Sequence, residues 1–213
     1  MLFKDRKEAG IKLAQSLEKY QGDEAIVFAL PRGGVVLGVE IANKLGVPLD
    51  LIITKKIGHP MNEEYAICAI AEEGDPVCNE AEIKRVNPEW FQRSIQNGRR
   101  EIKRRREKYL GDTKRQTLEG KTAIIVDDGI ATGLTMMAAI DEVKSRHPKR
   151  LVVAIPVVPY DTAQKLNDRV DELVALDIDS YYLGAVGAYY GDFRQVEDRE
   201  VISILKSVEI KED

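Results

Sequence analysis

One run of the chain, from Ala123 to Thr135, restricts the possible folds more than any other. Its first four residues, Ala123 to Val126, are apolar and are typical of a short buried strand. Two adjacent carboxylates, Asp127 and Asp128, follow at once, and a turn rich in glycine and threonine comes next. The residues from Met136 to Lys144 have the pattern of an amphipathic helix. The run therefore predicts a strand, a polar turn and a helix in direct succession.

The predicted turn is suited to binding an anion. Its backbone N–H groups and the positive end of the helix dipole favour a phosphate, and the hydroxyls of Thr132 and Thr135 can donate to phosphate oxygens. Two carboxylates beside a phosphate would repel it unless they bind sugar hydroxyls or a divalent cation. These residues together indicate a sugar phosphate and Mg²⁺ as ligands. An ordinary strand, turn and helix with a polar loop is the alternative interpretation.

The rest of the chain alternates between segments typical of strands and segments typical of helices. Such alternation predicts an α/β fold in which helices cover both faces of a mainly parallel, twisted sheet. Ligands of these sheets bind beyond the carboxyl ends of the strands, where the Asp127-Asp128 turn is predicted to lie. The predicted strands are Ala25–Leu30, Leu49–Thr54, Ala66–Ala71, Thr122–Val126, Leu151–Val157 and Leu173–Leu176. The predicted helices are Lys4–Tyr20, Val35–Leu45, Pro88–Leu110, Leu134–Arg146, Asp161–Asn167 and Asp198–Lys206.

Length and composition favour a single domain, residues 1–213, of an ordinary globular protein. Of the 213 residues, 44% are hydrophobic and 32% are charged. The longest apolar run is too short to span a membrane, and the charged start of the chain is unlike a secretory signal. The two cysteines, Cys68 and Cys78, do not form a disulfide framework or a metal-binding spacing. We therefore expect a cytoplasmic protein.

The order of strand, Asp-Asp pair, turn and Thr-Gly-x-Thr resembles the 5-phosphoribosyl-1-pyrophosphate (PRPP) motif of type I phosphoribosyltransferases. The glycine spacings of two common nucleotide-binding motifs, G-x-x-x-x-G-K-[ST] and G-x-G-x-x-G, are absent from the chain. The resemblance implies the type I phosphoribosyltransferase fold. The sequence adds to that fold a basic helical insertion at about 80–115, and we expect a small C-terminal hood at about 178–196.

The same resemblance implies an activity and assigns roles within the motif. The implied activity moves 5-phosphoribosyl from PRPP to a nitrogenous acceptor, such as a nucleobase in nucleotide salvage, and releases pyrophosphate in a Mg²⁺-dependent reaction. Asp127 and Asp128 are implied to be catalytic, holding the ribose hydroxyls and, directly or through water, Mg²⁺. The residues implied to bind the 5-phosphate end of PRPP are Gly129, Ile130, Ala131, Thr132, Gly133, Leu134 and Thr135.

Two further segments resemble the pyrophosphate side of the family's site. The first predicted strand ends in Pro31-Arg32-Gly33-Gly34, where the glycines permit sharp backbone geometry and Arg32 offers a fork of donors to phosphate oxygens. Adenine phosphoribosyltransferases have their arginine where this chain has Gly33, so the spacing departs by one residue. The second predicted strand ends in Lys55-Lys56, and Lys56 is implied to approach the pyrophosphate. A plain turn and a solvated lysine pair are the alternatives.

The acceptor side gives two conflicting indications. Ala131 fits the adenine enzymes, in which a Glu-Tyr pair of a flexible loop handles the proton, and Glu64-Tyr65 is the implied counterpart with Glu64 as the acid or base. The C-terminal segment instead resembles the hood of 6-oxopurine salvage enzymes, where aromatic rings stack on a planar base. The residues implied to bind the base are Tyr182, Tyr189 and Asp192. Loop carboxylates and core aromatic rings are the alternatives.

A strongly basic segment lies outside this resemblance. Between Lys84 and Arg115 there are 12 basic and 4 acidic residues, although the whole chain carries a net charge of −4. A solvated helix packed on the core or on a partner subunit, an electrostatic funnel for PRPP and a phosphate-backbone surface all fit this composition. The acidic overall charge weighs against nucleic acid as the partner.

The expected partners are therefore PRPP and a small nitrogenous acceptor, with no membrane. We expect a homo-oligomer, most simply a dimer. The alternative function is a PRPP-sensing regulator that uses the same fold to bind nucleic acid or a protein. Because Arg32 and Lys56 are both present on the pyrophosphate side, the enzyme is the favoured interpretation.

Overall fold

A computed structural model describes residues 2–113 and 115–209 of the chain. The strands are β1 (Ala25–Ala29), β2 (Leu49–Leu51), β3 (Lys55–His59), β4 (Asn62–Ile70), β5 (Val77–Cys78), β6 (Thr122–Val126), β7 (Arg150–Pro159) and β8 (Glu172–Asp179). The α-helices are α1 (Arg6–Ser16), α2 (Gly33–Leu45), α3 (Glu80–Ile83), α4 (Pro88–Leu110), α5 (Leu134–Ser145), α6 (Tyr160–Asn167) and α7 (Asp198–Glu209). Short 3-10 helices lie at Glu18–Tyr20 and Val186–Tyr189.

Five of these strands form a fully parallel sheet in the order β2-β1-β6-β7-β8. In this sheet β1 and β6 are neighbours with Ala29 opposite Val126, so their carboxyl ends lie side by side. Both strands are buried along their whole length, as expected of apolar strands in a sheet covered on both faces. The predicted α/β fold is confirmed.

Helices cover both faces of the sheet because alternate strand residues point to opposite sides. Val27 and Ile124 belong to the core formed with α1 and α2. Ile26 and Ile125 belong to the core formed with α5 and α6. Each face of the sheet thus packs against one helix layer. The polar turns that follow β1 and β6 lie at the carboxyl edge of the sheet, between the two layers.

The chain leaves the central sheet after β2. The predicted strand Leu49–Thr54 is shorter than expected and ends at Leu51. The strand predicted at Ala66–Ala71 is present as the second half of β4, which ends at Ile70, but it pairs antiparallel with β3 and β5 in a separate three-stranded sheet. The Lys55-Lys56 pair accordingly opens β3 instead of ending a strand of the central sheet. An apolar run indicates a buried strand, but it carries no information about the direction in which that strand pairs.

A disulfide joins Cys68 and Cys78, which the sequence did not predict. The two residues face each other across the antiparallel pair of β4 and β5. Their spacing of ten residues gave no signal because the cross-strand pairing that brings them together is a tertiary feature. The bond ties the antiparallel sheet to the segment that leads into α3 and α4.

The basic helical insertion is built around α4. This helix begins after Asn87, whose side-chain oxygen accepts a hydrogen bond from the N–H of Trp90 at 3.0 Å, with Pro88 in its first turn. The predicted apolar stripe of Phe91, Ile95, Ile102 and Tyr109 packs into the core as expected. Most of its basic side chains lie on the opposite, exposed face. The long helix is therefore an amphipathic element docked on the antiparallel sheet and α7.

The N-terminal segment pairs with the hood beside the central sheet. Phe3 forms a parallel β-bridge with Tyr190, and their rings are 5.3 Å apart. The hood predicted at about 178–196 consists of the end of β8, the 3-10 helix Val186–Tyr189 and the extended segment after it. Within the described stretches, the helices are too short or too polar to traverse a lipid bilayer.

Candidate active site

Asp127 and Asp128 lie at the carboxyl edge of the central sheet, directly after β6 and beside the end of β1. Asp127 Oδ1 accepts a hydrogen bond from the backbone N–H of Asp128 at 2.8 Å. Burial raises the pKa of both carboxyl groups, and the charge of Asp128 raises the pKa of Asp127 further. Two largely buried carboxyl groups held together in this way favour a ligand that brings hydroxyl donors or a cation.

The predicted pyrophosphate turn packs directly against this pair. A Cβ atom on Gly33 would lie 1.9 Å from Asp128 Oδ2, and a Cβ on Gly34 would lie 2.8 Å from the carbonyl oxygen of Val126. Only glycine therefore allows the start of α2 to approach the carboxyl groups so closely. Because α2 begins at Gly33, the positive end of its dipole lies beside Asp128. The peptide bond between Pro31 and Arg32 is cis.

The predicted phosphate turn ends at the N-terminus of α5. Gly133 precedes this helix with a φ of 81°, and no side chain of the described residues caps it. The first hydrogen bond of the helix runs from the N–H of Met137 to the carbonyl oxygen of Gly133 at 2.8 Å. The backbone N–H groups before Met137, from Leu134 to Met136, are therefore the unused donors of a helix start and can bind an anion.

Tertiary contacts fix the conformation of this turn. The N–H of Ile130 donates to the carbonyl oxygen of Val157 at 3.1 Å, and Thr162 Oγ1 donates to the carbonyl oxygen of Ala131 at 3.1 Å. Gly129 has a φ of 156°, and a Cβ there would lie 2.4 Å from a methyl carbon of Val186. Ala131 and Thr132 nevertheless remain exposed to solvent. The turn is thus held in place before a ligand arrives and stays accessible to it.

Two residues that the sequence did not indicate contact the acid pair. Arg6 Nε donates to Asp128 Oδ2 at 2.7 Å, and the Tyr190 hydroxyl donates to the carbonyl oxygen of Asp128 at 2.5 Å. Burial and the charge of Asp128 raise the pKa of Tyr190, so this hydroxyl remains protonated as a donor. Arg6 and Asp128 are 122 positions apart, and no local pattern could have joined them. Tyr190 belongs to the aromatic segment near the C-terminus, which gave a weak signal.

Arg32 directly precedes Gly33, which packs on Asp128, and the side chain of Arg32 extends toward α7. Its Nη1 is 3.9 Å from Asp198 Oδ1, at the first residue of that helix. Asp198 also accepts hydrogen bonds from Lys108 Nζ and from the Tyr109 hydroxyl, both at 2.5 Å. The insertion helix α4 is therefore connected to the predicted pyrophosphate turn through a single carboxylate.

Asp198→Asn is expected to lower the melting temperature at neutral pH. The hydrogen bonds from Lys108 and Tyr109 lower the pKa of Asp198 from 3.8 to about 2. A carboxyl whose folded pKa is depressed stabilises the fold above its unfolded pKa, and this contribution is lost as the pH falls from about 4 to about 2. Calorimetric scans should therefore show the difference between wild type and variant narrowing over that window. Asp23→Asn, at an exposed position, is the control. A difference between wild type and Asp198→Asn that does not change with pH would contradict the electrostatic contribution.

The antiparallel sheet carries Lys56, which is predicted to bind the pyrophosphate of PRPP, and Glu64, the third residue predicted to be catalytic. Lys56 is exposed near the start of β3, on a cleft of about 410 Å³ that is also lined by Lys55, Trp90 and Gly98. Glu64 is exposed on β4, where its N–H donates to Asn62 Oδ1 at 3.2 Å. Both residues are thus free to meet a ligand, and their roles stay predictions.

The predicted base-binding residues lie in different surroundings. The Tyr189 hydroxyl donates to Asp179 Oδ2 at 2.5 Å and accepts from the N–H of Leu183 at 2.9 Å, so this buried side chain supports the hood. Tyr182 stacks on Tyr189 with ring centroids 5.4 Å apart, and its own hydroxyl is buried without a hydrogen-bond partner among the described residues. Asp192 is exposed and accepts from the N–H of Arg194 at 3.1 Å. Asp192 is therefore the member of this set that is open to solvent, whereas the hydroxyl groups of both tyrosines are buried.

The acid pair fits one kind of metal ion. No cluster of three or more His, Cys, Asp or Glu side chains in the described stretches could enclose a metal. Mg²⁺, however, is commonly bound through one or two carboxylates, water and the phosphates of its substrate. Asp127 and Asp128 supply oxygen ligands of that kind, and Asp128 Oδ2 is already paired with Arg6. The residues present suit a Mg²⁺ ion that arrives with an anionic ligand.

Comparison with known proteins identifies the family. The model of a family described as "Phosphoribosyl transferase domain" matches residues 4–188. The chain belongs to this family. The matched residues include the turn after β1, the antiparallel sheet, the acid pair and the phosphate turn, and they end within the hood.

Individual relatives agree with this assignment. A Mycobacterium tuberculosis protein named "Putative phosphoribosyl transferase Rv0571c" is 36% identical over 206 residues, which is 96% of this chain and 46% of that protein. The chain thus spans about half the length of the curated relatives it matches. The crystal structure of TT1426 from Thermus thermophilus is 37% identical, covers 97% of this chain and 99% of its own, and has a TM-score of 0.82. The Aquifex aeolicus protein AQ2163, at 12% identity, 82% and 74% coverage and a TM-score of 0.50, shares the fold.

Proposed function

We propose that this phosphoribosyltransferase moves the 5-phosphoribosyl group of PRPP to a nitrogenous acceptor of the nucleobase class and releases pyrophosphate. One observation carries the proposal: the largely buried Asp127-Asp128 pair lies between the glycine start of α2 and the uncapped N-terminus of α5. A sugar whose hydroxyls lie between two phosphate-bearing ends matches carboxyl groups flanked by two helix N-termini. Membership of the family supports the same chemistry.

Each part of the site has a role in this mechanism. Asp127 and Asp128 accept hydrogen bonds from the ribose hydroxyls, while the turn from Gly129 to Thr135 binds the 5-phosphate. Arg32, with Gly33 and Gly34, and Lys56 bind the pyrophosphate. A nitrogen lone pair of the acceptor forms the new bond to C1 as the C1–O bond breaks, and the electron pair leaves with pyrophosphate. The transition state resembles the oxocarbenium ion of glycoside cleavage, so positioned charges and donors supply the catalysis.

Asp127 and Asp128 would hold Mg²⁺ together with oxygens of PRPP. The ion would neutralise part of the pyrophosphate charge. The positive charge of Arg6 already neutralises part of the negative charge of Asp128. The ion pair therefore holds one of the proposed sugar-binding carboxylates in position before the ligand binds. Omitting Mg²⁺ and adding a chelator should therefore abolish turnover without unfolding the protein.

Pyrophosphate release tests the proposed function. The protein is incubated with PRPP, Mg²⁺ and each common nucleobase in turn, and released pyrophosphate is measured. Release that depends on one class of base supports the proposal and identifies the acceptor. PRPP binding without base-dependent release, together with salt-sensitive nucleic-acid binding that is lost on neutralising the exposed Lys103 and Arg104, would contradict the enzyme and support a PRPP-sensing regulator.

Glu64→Gln is expected to lower turnover by about a hundredfold if Glu64 exchanges the proton of the acceptor. The amide keeps the size of the side chain but cannot carry the proton, so the loss should appear in kcat over the whole pH range. Glu63→Gln, on the neighbouring exposed position, is the control. Steady-state pyrophosphate release between about pH 5 and 9 provides the measurement. Equal rates for the Glu64 variant and wild type would exclude Glu64 as the proton carrier.

A further inference from the structure

Arg6 has an unusually well-defined position for a residue at the start of a helix. Its Nε donates to Asp128 Oδ2 and its Nη1 donates to the carbonyl oxygen of Arg194, both at 2.7 Å. The Cζ atom of its guanidinium lies 3.8 Å from the centre of the Phe193 ring. The side chain is 11% exposed, against 15% for that of Asp128. Contacts from the acid pair and the C-terminal segment therefore hold the guanidinium in place.

The scaffold behind Arg6 is also fixed. Asp5 begins α1 by accepting a hydrogen bond from the N–H of Glu8 at 2.8 Å, which sets the first turn of the helix. The backbone of Phe3 exchanges hydrogen bonds with the hood. Its N–H donates to the carbonyl oxygen of Tyr189, and its carbonyl oxygen accepts from the N–H of Gly191, both at 2.7 Å. These hydrogen bonds join the segment before α1 to the hood, next to the Arg6–Asp128 pair.

This arrangement has a consequence for the carboxylate. With Oδ2 paired to Arg6, Asp128 presents its other oxygen in a defined direction. The positive charge of Arg6 also reduces the negative charge that two adjacent carboxylates would otherwise place beside an anionic ligand. Both effects favour the binding of a sugar phosphate at this site. Three contacts hold the guanidinium, from Asp128, from the carbonyl oxygen of Arg194 and from the ring of Phe193.

We propose that Arg6 is a positioning residue for Asp128, held by the C-terminal segment so that the second carboxylate of the pair is oriented for the ribose hydroxyls of the ligand. The inference rests on the proposed function, in which Asp128 binds that sugar. It adds the N-terminal helix and the segment around Phe193 to the machinery that determines sugar affinity. Neither belongs to the motif that follows β6.

The test measures ligand affinity and kinetics in matched variants of the full chain. Arg6→Gln removes the charge, Arg6→Lys keeps it, and Phe193→Leu removes the aromatic face without touching Asp128. Lys7→Gln is the control, because Lys7 is exposed and its nearest carboxylate oxygen, on Glu40, is 4.0 Å away. Calorimetry measures binding of PRPP with Mg²⁺ and of ribose 5-phosphate without metal, and the pyrophosphate-release assay gives KM for PRPP and for the acceptor.

The expected result is a tenfold to hundredfold loss of affinity for both sugar phosphates in Arg6→Gln, with KM for the acceptor unchanged. Arg6→Lys should recover part of that affinity, Phe193→Leu should show a smaller loss than Arg6→Gln, and Lys7→Gln should match wild type. Unchanged or tighter sugar binding in Arg6→Gln, when wild type binds PRPP, overturns this inference alone. If Arg6→Gln does not fold, wild-type affinity in Phe193→Leu overturns it. Wild type that binds no PRPP contradicts the proposed function and this inference together.

Discussion

Replacing both carboxyl groups, Asp127→Asn with Asp128→Asn, is expected to reduce pyrophosphate release by at least about a hundredfold while the protein remains folded. The amides still fit the space, and an amide oxygen at 127 can still accept the N–H of residue 128. They lose the negative charge that, in the proposed mechanism, attracts the ribose hydroxyl donors and the Mg²⁺ accompanying PRPP. Calorimetric titration with PRPP and Mg²⁺ should show the loss in affinity directly. Wild-type binding by the double variant would exclude these roles.

The single variant Asp127→Asn separates function from stability. Burial and the charge of Asp128 raise the pKa of Asp127 well above its ordinary value. For a carboxyl with a raised folded pKa, the stability of the fold decreases as the pH rises above the unfolded pKa near 3.8, because the unfolded chain releases the proton first. The asparagine variant avoids this cost, so its melting temperature should equal or exceed that of wild type, by a margin that grows as the pH rises above about 4. A large fall in melting temperature would instead give Asp127 a structural role.

The difference between what the sequence revealed and what it did not is clear at this site. The strand, the acid pair and the phosphate turn are contiguous, so local pattern was sufficient to predict β6, its position in a parallel sheet and the start of α5. Arg6 and Tyr190 reach Asp128 from the two ends of the chain. The sequence around each residue does not indicate a contact with a carboxylate, because the contact forms only when the segment at Phe3 pairs with the hood at Tyr190.

The errors in the fold have the same origin. The apolar segment from Ile67 to Ile70 is buried, as predicted, but its partners are β3 and β5 and not the central sheet. Pairing direction depends on which connection the chain can close, and a β-hairpin between His59 and Asn62 closes at little cost in chain entropy. The disulfide between Cys68 and Cys78 follows from that hairpin sheet. Parallel or antiparallel pairing was the missing information, since burial alone is common to both.

Gly33→Ala is expected to produce the second large effect, a loss of turnover of about a hundredfold or more together with reduced stability. The new methyl group would lie 1.9 Å from Asp128 Oδ2, 2.7 Å from its Cγ and 2.8 Å from Arg6 Nε. The carboxylate cannot easily rotate away because Arg6 holds it at 2.7 Å, so the start of α2 or the acid pair must move. Overpacking of this kind costs about 1–3 kcal/mol in a well-packed region.

The control for Gly33→Ala is Gly22→Ala. Gly22 has a φ of 83°, and no atom of the described residues beyond its two chain neighbours lies within 4 Å of the place that its Cβ would take, so alanine there strains the backbone without touching the site. The melting temperature of the Gly22→Ala variant should fall by a few degrees, while its KM for PRPP and its kcat should equal those of wild type. Gly33→Ala should raise KM for PRPP and lower kcat, because it displaces the carboxyl group that is proposed to bind the sugar and the turn that is proposed to bind the leaving pyrophosphate. If Gly33→Ala kept wild-type kinetics, the close packing of this turn on Asp128 would have no part in catalysis, and the pyrophosphate would have to bind elsewhere along the sheet edge.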